Sequence, residues 1–561
     1  MKSKPYIGIV PRILLWLARL ITRRIGLPPA TSPVLVPEKK IPIKMSDGVI
    51  LFADSWYPLN NPSAPVVLIR TPYGRGGLTG AVTAILLAQY GFRVITQSCR
   101  GTDGSGGEFV PFKDEVSDGA DTVAWLRQQP WFSGKFVTHG ASYVGYTQWA
   151  IAMSSPPELI AMNPQIAPIF PVSLLHRGGV FAFEIALMWT SLMPKPPPRL
   201  VLLLGAKGRM RSIKAAGLNL PLSKGYIAAN QGRSSVHFEN WLKHFDPTDP
   251  WWASVDFSKV VNTIKIPILL QGGWLDVFTA EIFNQYATLR ERGVDASIMM
   301  ADASHSGFIK SMAKTLPVAV EWFHAAFNVT TSTQVGKITG EVIGTNEWKS
   351  FTQWPPASRP LELTLQAGGR LSTDSPKASS PDTYRYDPRD PTPSIGGELL
   401  TLRIDQDNAP LIARKDVLSY TTAALEQSVE IVGNVVVDLW CSSSLQYTDF
   451  FLRLCDVAPN GHIRTVNDVI QRFTPENVQA GKDGVWKLQF TLPPTLCNFK
   501  RGHKIGLIIC SAAYPRFIPN TGSGESLYAA TQQFVADQQV YHDPDHPSRI
   551  LLQVLEGRSE K

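Results

Sequence analysis

Phe136-Val137-Thr138-His139-Gly140-Ala141-Ser142-Tyr143-Val144-Gly145-Tyr146 is the stretch on which the reading of the fold turns. An apolar run ends in Gly140, a serine follows at 142, and Gly145 opens a segment able to form a helix. The pattern predicts a strand, a sharp turn and a helix, with Ser142 at the apex. Such a turn leaves little room for side chains, so small residues flank the serine. The hydroxyl then stands at the end of a sheet, and the next backbone N–H can face a developing oxyanion. The usual spacing of this nucleophile elbow is G-x-S-x-G; here the second glycine comes one position later. Gly-x-Ser also marks ordinary turns, so the rest of the chain has to supply the partners.

Working outward, strands and helices alternate. Ser46-Asp47-Gly48 is a turn sequence inside a hairpin spanning Ile41 to Tyr57. Strands are expected at Pro65–Ile69, Phe92–Gln97 and Lys135–Thr138, and helices at Gly80–Tyr90 and Val116–Gln129. The Gly-rich run from Arg100 to Gly107 lacks a G-K-[ST] ending and reads as a tight turn, not a nucleotide cradle. Residues 171–254 break the rhythm: they read as helical, with a Pro194–Pro198 break, several aromatics and no strand alternation, as in a cap inserted over a sheet edge. Strands return at 267–271 and 296–300, with a helix at 279–292 between them. Such alternation implies a mainly parallel sheet covered on both faces. Beyond about residue 330 short β segments take over. Trp486, Leu488, Phe490 and Leu492 alternate with Lys487, Gln489 and Thr491, and Val435–Trp440 and Ile505–Cys510 are further β candidates, as in an all-β sandwich or jelly roll.

Composition narrows the class. A chain of 561 residues is too long for one core, and 44% hydrophobic with 18% charged residues fits a globular protein with well-filled cores. The five cysteines are odd in number and form no C-x-x-C pair, which argues against a disulfide scaffold or zinc site and for a reducing, cytoplasmic setting. Of the net charge of +8, all but one unit falls in the first 50 residues, so the body offers no nucleic-acid surface. Residues 12–26 place Arg12, Arg19 and Arg23 on one helical face and Ile13, Leu14, Leu17, Leu20, Ile21 and Ile25 on the other. Arg19 interrupts any spanning helix, and the apolar core is short for a secretory signal without a clear cleavage site. Two readings stand: a helix packed on the body, or a basic segment resting on an anionic membrane surface through residues 1–26.

An elbow serine is inert without a base, and the base needs an orienting carboxylate. In an α/β-hydrolase sheet these follow in the order Ser, Asp/Glu, His, each after a strand. Asp276 follows strand 267–271 and His305 follows strand 296–300, so Ser142, Asp276 and His305 form the expected triad. His139, on the elbow strand, is expected to pack beneath the site. Asp302 is expected in a loop role. His542-Asp543-Pro544-Asp545-His546 resembles a metal cluster, but Pro544 breaks any helix there and no third ligand cluster is near. No metal and no cofactor is expected.

With these residues in place the chain resembles the CocE/NonD hydrolases, a group that includes cocaine esterases, X-Pro dipeptidyl-peptidases, α-amino acid ester hydrolases and glutaryl acylases. The resemblance covers about residues 40–555. It rests on Gly140–Gly145 preceded by Gln129-Pro130-Trp131 and Gly134-Lys135, on Arg70-Thr71-Pro72-Tyr73, Arg100-Gly101-Thr102, Gly107-Glu108-Phe109, Gly272-Gly273-Trp274-Leu275-Asp276 and Ser304-His305. In the β region Tyr386-Asp387-Pro388, Pro391-Thr392-Pro393, Gly396-Gly397 and Asn498–His503 also match its pattern. The resemblance implies a hydrolase core (37–170 and 255–330), a helical cap (171–254) and a C-terminal jelly roll (331–561), with residues 1–36 outside it. It implies an oxyanion hole made by the Tyr73 hydroxyl and the Tyr143 backbone N–H, and it assigns Phe278 and Trp274 to substrate binding. The expected substrate is a small ester or amide with a bulky apolar acyl group, or a short peptide. X-Pro peptidase action would need a carboxylate for the free amino terminus, with Glu184 and Glu239 as candidates. Acylase action on the same site and a non-catalytic binding role also stand open.

Overall fold

The computed structural model describes residues 35–556 except 77, 194–198, 230–231, 399, 401–404 and 482; before residue 35 it describes only 16, 20, 22–24, 26–27 and 29–32. The first half builds a ten-stranded mixed sheet. In chain order its elements are β1 (Leu35–Lys44), β2 (Ile50–Pro58), β3 (Val66–Thr71), α1 (Leu78–Ala88), β4 (Arg93–Ser98), α2 (Glu115–Arg127), β5 (Phe136–Ala141), α3 (Tyr143–Met153) and β6 (Leu159–Gln165). β1 and β2 form the hairpin that the Ser46-Asp47-Gly48 turn implies, with Lys44 opposite Ile50. β3, β4, β5 and β6 run parallel, and every residue of β3 and β4 is buried, the polar Arg70, Arg93 and Gln97 included.

Between β6 and the next core strand the chain leaves the sheet. This excursion holds α4 (Val172–Leu175), a two-residue strand pair β7 (His176–Arg177) and β8 (Val180–Phe181), then α5 (Phe183–Leu192), α6 (Arg199–Leu218), α7 (Leu222–Ala229) and α8 (Val236–Lys243). The small β7–β8 pair is a strand feature the sequence pattern does not suggest; two residues are too few to show alternation. The expected break at 194–198 lies outside the described residues. The sheet resumes with β9 (Ile268–Leu275), α9 (Thr279–Glu291), β10 (Ala296–Ser304), α10 (Met312–Phe327), β11 (Ile338–Glu341) and β12 (Trp348–Phe351). The spatial order is β1-β2-β4-β3-β5-β6-β9-β10-β11-β12. The sheet thus runs on past residue 330, because β11 pairs parallel with β10 and β12 turns back on it.

From Ser358 onward the chain is almost wholly β. Eleven strands form a second sheet system, in which the longest pair joins Val429–Ser443 to Trp486–Phe499. Trp486, Leu488, Phe490 and Leu492 are buried and their alternate neighbours exposed, so the period-two pattern has its physical cause. The only described helix there is the one turn Ala409–Ile412. The two halves are tied by a short ion pair between Asp302, near the end of β10, and Arg464 at 2.6 Å. All five cysteines are buried and free.

The N-terminal basic segment falls mostly outside the described residues. Within it Trp16 and Leu20 are exposed, and residues 22–24 are helical. Among the described residues no helix is long and apolar enough to cross a membrane. The run at 542–546 is taken up by local bonds: His542 meets Asp382 at 3.1 Å, and His546 meets Asp483 and Asp543 at 2.8 and 3.2 Å. Among the described residues no group of three or more His, Cys, Asp or Glu is placed to hold a metal.

His139 lies on β5 under the elbow, with its Nδ1 bonded to Asn163 Oδ1 at 2.9 Å and its ring edge-on to Phe323. Burial pushes its pKa down to about 4, and the Asn163 bond opposes only part of that shift. The folded state therefore binds this proton more weakly than the unfolded chain, whose histidine titrates near 6.5. Stability from this group is complete above that value and is lost as pH falls from about 6.5 to about 4, a change on the order of 3 kcal/mol. Urea midpoints measured across this window should fall with pH in the native protein and fall less steeply in His139→Gln; parallel slopes would contradict the assignment.

Candidate active site

The elbow is built as its residues require. β5 ends at Ala141, α3 begins at Tyr143, and Ser142 between them has φ 62° and ψ −129°. A non-glycine residue held there costs about 1–3 kcal/mol, so the surroundings must fix it. The Ser142 N–H donates to the Gln165 carbonyl at 2.8 Å, while its own carbonyl accepts from Gly145 and Tyr146. The glycines answer to close approach. A Cβ on Gly140, at φ 148°, would lie 2.2 Å from Val144 Cγ1, and one on Gly145 would lie 2.2 Å from the Ala167 methyl. The displaced second glycine is where the helix passes nearest to the chain after β6.

Three loops at the carboxyl ends of parallel strands meet over this turn. His305 follows β10, and its Nε2 stands 2.9 Å from Ser142 Oγ. Its Nδ1 lies 2.6 Å from Asp276 Oδ2. Asp276 follows β9 and is fully buried, and its other oxygen accepts the Phe278 N–H at 2.8 Å. The carboxylate is thus held at both oxygens, and a ring nitrogen facing it leaves the other to accept the serine proton. The structure brings together all three residues expected from the order of strands.

Tyr73 follows β3. Burial raises the pKa of its phenol, while bonds from the Trp189 indole, the Ser142 side chain and the Tyr143 backbone N–H act against that rise. It therefore keeps its proton, beside both the serine and the Tyr143 amide. The Tyr143 ring is fixed from behind: its hydroxyl donates to Glu115 Oε1 at 2.9 Å and accepts the Phe112 N–H at 2.7 Å. Glu115 in turn pairs with Arg70 at 2.9 Å, both side chains being buried. Glu115 carries no signal in the sequence, and Arg70 enters there only within the Arg70-Thr71-Pro72-Tyr73 motif, with no partner assigned. The signal available was an arginine inside an otherwise apolar strand, which needs a buried partner.

Phe278 is buried, with its ring edge-on to His305 at 5.7 Å. Trp274 is placed differently from the substrate role assigned to it. It is fully buried, its indole N–H donates to the Glu341 carbonyl at 2.7 Å, and its rings stack on Phe283 and Trp354. Those contacts join β9 to β11 and the following segment, so the indole is committed to packing. Asp302 holds Arg464. Of the two carboxylates considered for an amino terminus, Glu239 is bonded by the Tyr226 hydroxyl and lies 3.9 Å from Lys243. Glu184 is buried, which raises its pKa against the opposing charges of Arg516 and Lys214. Aromatic rings crowd the helix side of the elbow: Trp189 stacks on Phe112, Tyr143 and Trp241, and Tyr146 stacks on Phe257.

Residues 47–307 match the X-Pro dipeptidyl-peptidase (S15) family, and residues 321–551 match the X-Pro dipeptidyl-peptidase C-terminal non-catalytic domain. The chain thus carries an S15-type catalytic domain followed by the C-terminal domain that goes with it, the make-up of a serine hydrolase. Among curated relatives, a cocaine esterase of Rhodococcus sp. (strain MB1 Bresler) is 29% identical, over 93% of this chain and 98% of the relative. Among solved structures, an α-amino acid ester hydrolase is similar at TM-score 0.79 and 21% identity, covering 99% of each chain. An aminopeptidase of a marine-sediment Thaumarchaeota archaeon is similar at TM-score 0.77 and 19% identity, over 93% of this chain and 96% of the other. These two likenesses carry the fold, and the sequence matches carry the class of serine hydrolase.

The elbow packing sets a test. Gly145→Ala forces its new methyl against Ala167, where both sides are anchored to backbone. It should cost about 1–3 kcal/mol and lower the melting temperature by a few degrees. An unchanged melting curve would show that the turn has slack.

Proposed function

We propose that this S15 hydrolase cleaves a carboxylic ester, and less readily an amide, through an acyl-enzyme on Ser142. Ser142 Oγ attacks the carbonyl carbon as His305 Nε2 takes its proton. The carbonyl oxygen becomes an oxyanion held by the Tyr73 hydroxyl and the Tyr143 N–H. Collapse breaks the bond to the leaving group, which takes the proton back from His305. Water then repeats the sequence and releases the acid. Asp276 holds the imidazole in one tautomer and stabilises its charged form. The observation that carries this reading is the continuous relay from Ser142 Oγ through His305 to Asp276 at 2.9 and 2.6 Å.

The acyl group is bulky and largely apolar, the reading favoured by the aromatic rings beside the elbow and by Phe278 against His305. The X-Pro dipeptidyl-peptidase reading has the family name in its favour, but it needs a carboxylate open to an ammonium, and Glu239 is already bonded while Glu184 is buried. In this account the core is an α/β-hydrolase unit, residues 171–254 are its cap, and the C-terminal β region is a jelly roll beginning after β12.

A panel of p-nitrophenyl esters, aryl amides and X-Pro-anilides, run beside Ser142→Ala, tests both levels. Aryl-acyl and branched-acyl esters should be cleaved fastest, and Ser142→Ala should lower kcat by about 10⁴- to 10⁶-fold with the fold intact. Preference for X-Pro-anilides would reject the ester reading, and retained turnover would reject the nucleophile. Tyr73→Phe should cost about 10²- to 10³-fold in kcat; a native rate would remove the phenol from the oxyanion site.

A further inference from the structure

Trp189 lies near the C-terminal end of α5, in the inserted helical segment and far in sequence from the sheet. Its indole Nε1 stands 3.4 Å from the Tyr73 hydroxyl oxygen. The face of the same ring lies nearly parallel to the Tyr143 ring, with centroids 6.0 Å apart and planes 10° from parallel, and it stacks likewise on Phe112 at 5.9 Å. One side chain from the cap therefore touches the Tyr73 phenol by its N–H and packs by its face on the ring of the residue that supplies the elbow amide.

The chemistry of the contact has a direction. An indole N–H donates and cannot accept, whereas a phenol oxygen does both. By occupying a lone pair of the Tyr73 oxygen, Trp189 leaves the phenol proton free to turn to an acceptor, and a substrate carbonyl oxygen at the elbow would be one. A donor to the oxygen also polarises the O–H bond and strengthens what it gives. The distance is long for an N–H···O bond, so its contribution at rest is small, and it can tighten as charge builds on the substrate oxygen.

We propose that Trp189 is a positioning residue that orients the Tyr73 hydroxyl toward the substrate oxygen, so that seating of the cap on the core completes the oxyanion site. This rests on the acyl-enzyme reading above and adds a role that neither the motifs nor the triad geometry requires. It differs from simple pocket lining, because a lining residue acts on substrate binding and is indifferent to the Tyr73 hydroxyl.

The test is a double-mutant cycle. Trp189→Phe keeps an aromatic face and removes the N–H. With the best ester of the panel it should lower kcat about threefold to tenfold, as for loss of one hydrogen bond, and leave KM within about twofold. In a Tyr73→Phe background the same substitution should change kcat by less than about twofold. A second variant guards against a packing artefact: 3-benzothienylalanine at position 189 has the shape of tryptophan without its N–H, and it should reproduce the Trp189→Phe result. Equal losses with and without the Tyr73 hydroxyl, a change confined to KM, or native kcat in the benzothienyl variant would each overturn the proposal. Those outcomes leave the nucleophile reading intact as long as Ser142→Ala is inactive. An active Ser142→Ala would instead sink that reading first.

Discussion

The buried ion pair between Arg70 and Glu115 is the constraint on which the geometry of the site depends. Arg70 is at the end of β3, three residues before Tyr73, and Glu115 opens α2 and bonds the Tyr143 hydroxyl. The pair joins the loop carrying the Tyr73 phenol to the elbow carrying Ser142. Arg70 also donates to Gln97 at the end of β4, so three adjacent strand ends are tied at one point. Neither charge can be removed cheaply: an unpaired partner left in the core costs about 3–5 kcal/mol. The strained backbone of Ser142 can persist because its neighbours are fixed in this way.

Around this anchor three parts of the chain converge. The sheet supplies Ser142, Asp276 and His305 at strand ends. The inserted helices bring Trp189 against Tyr73. The C-terminal β region reaches back to the histidine loop, where the Ser306 hydroxyl donates to the Leu400 carbonyl and Asp302 binds Arg464. In the proposed mechanism, enclosure from three sides would limit water, and fixed donors such as an amide and a phenol would then act strongly on a developing charge.

Much of this was legible from residues alone, for a physical reason. Strands buried on both faces are apolar runs, so β3, β5, β9 and β10 announced themselves, and residues just past their ends were the natural candidates for chemistry. The odd spacing of Gly140 and Gly145 proved to be a packing requirement set by Val144 and Ala167. Contacts formed only in space were not legible. Glu115 reads as an ordinary acid in the first turn of a helix, and nothing near it in sequence points to Arg70 or Tyr143. Trp274 shows the converse error: a motif sets it two residues from Asp276, yet its indole turns to the Glu341 carbonyl and to Trp354. The continuation of the first sheet through β11 and β12 was hidden because four-residue strands carry little periodicity.

The central claim is that one activated serine does the chemistry, and the most direct measurement is where a mechanism-based acylating mimic lands. Folded protein treated with a fluorophosphonate and digested for peptide mapping should carry a single adduct, on Ser142 in the peptide spanning the elbow. No adduct on correctly folded protein, or an adduct on another residue, would contradict the account.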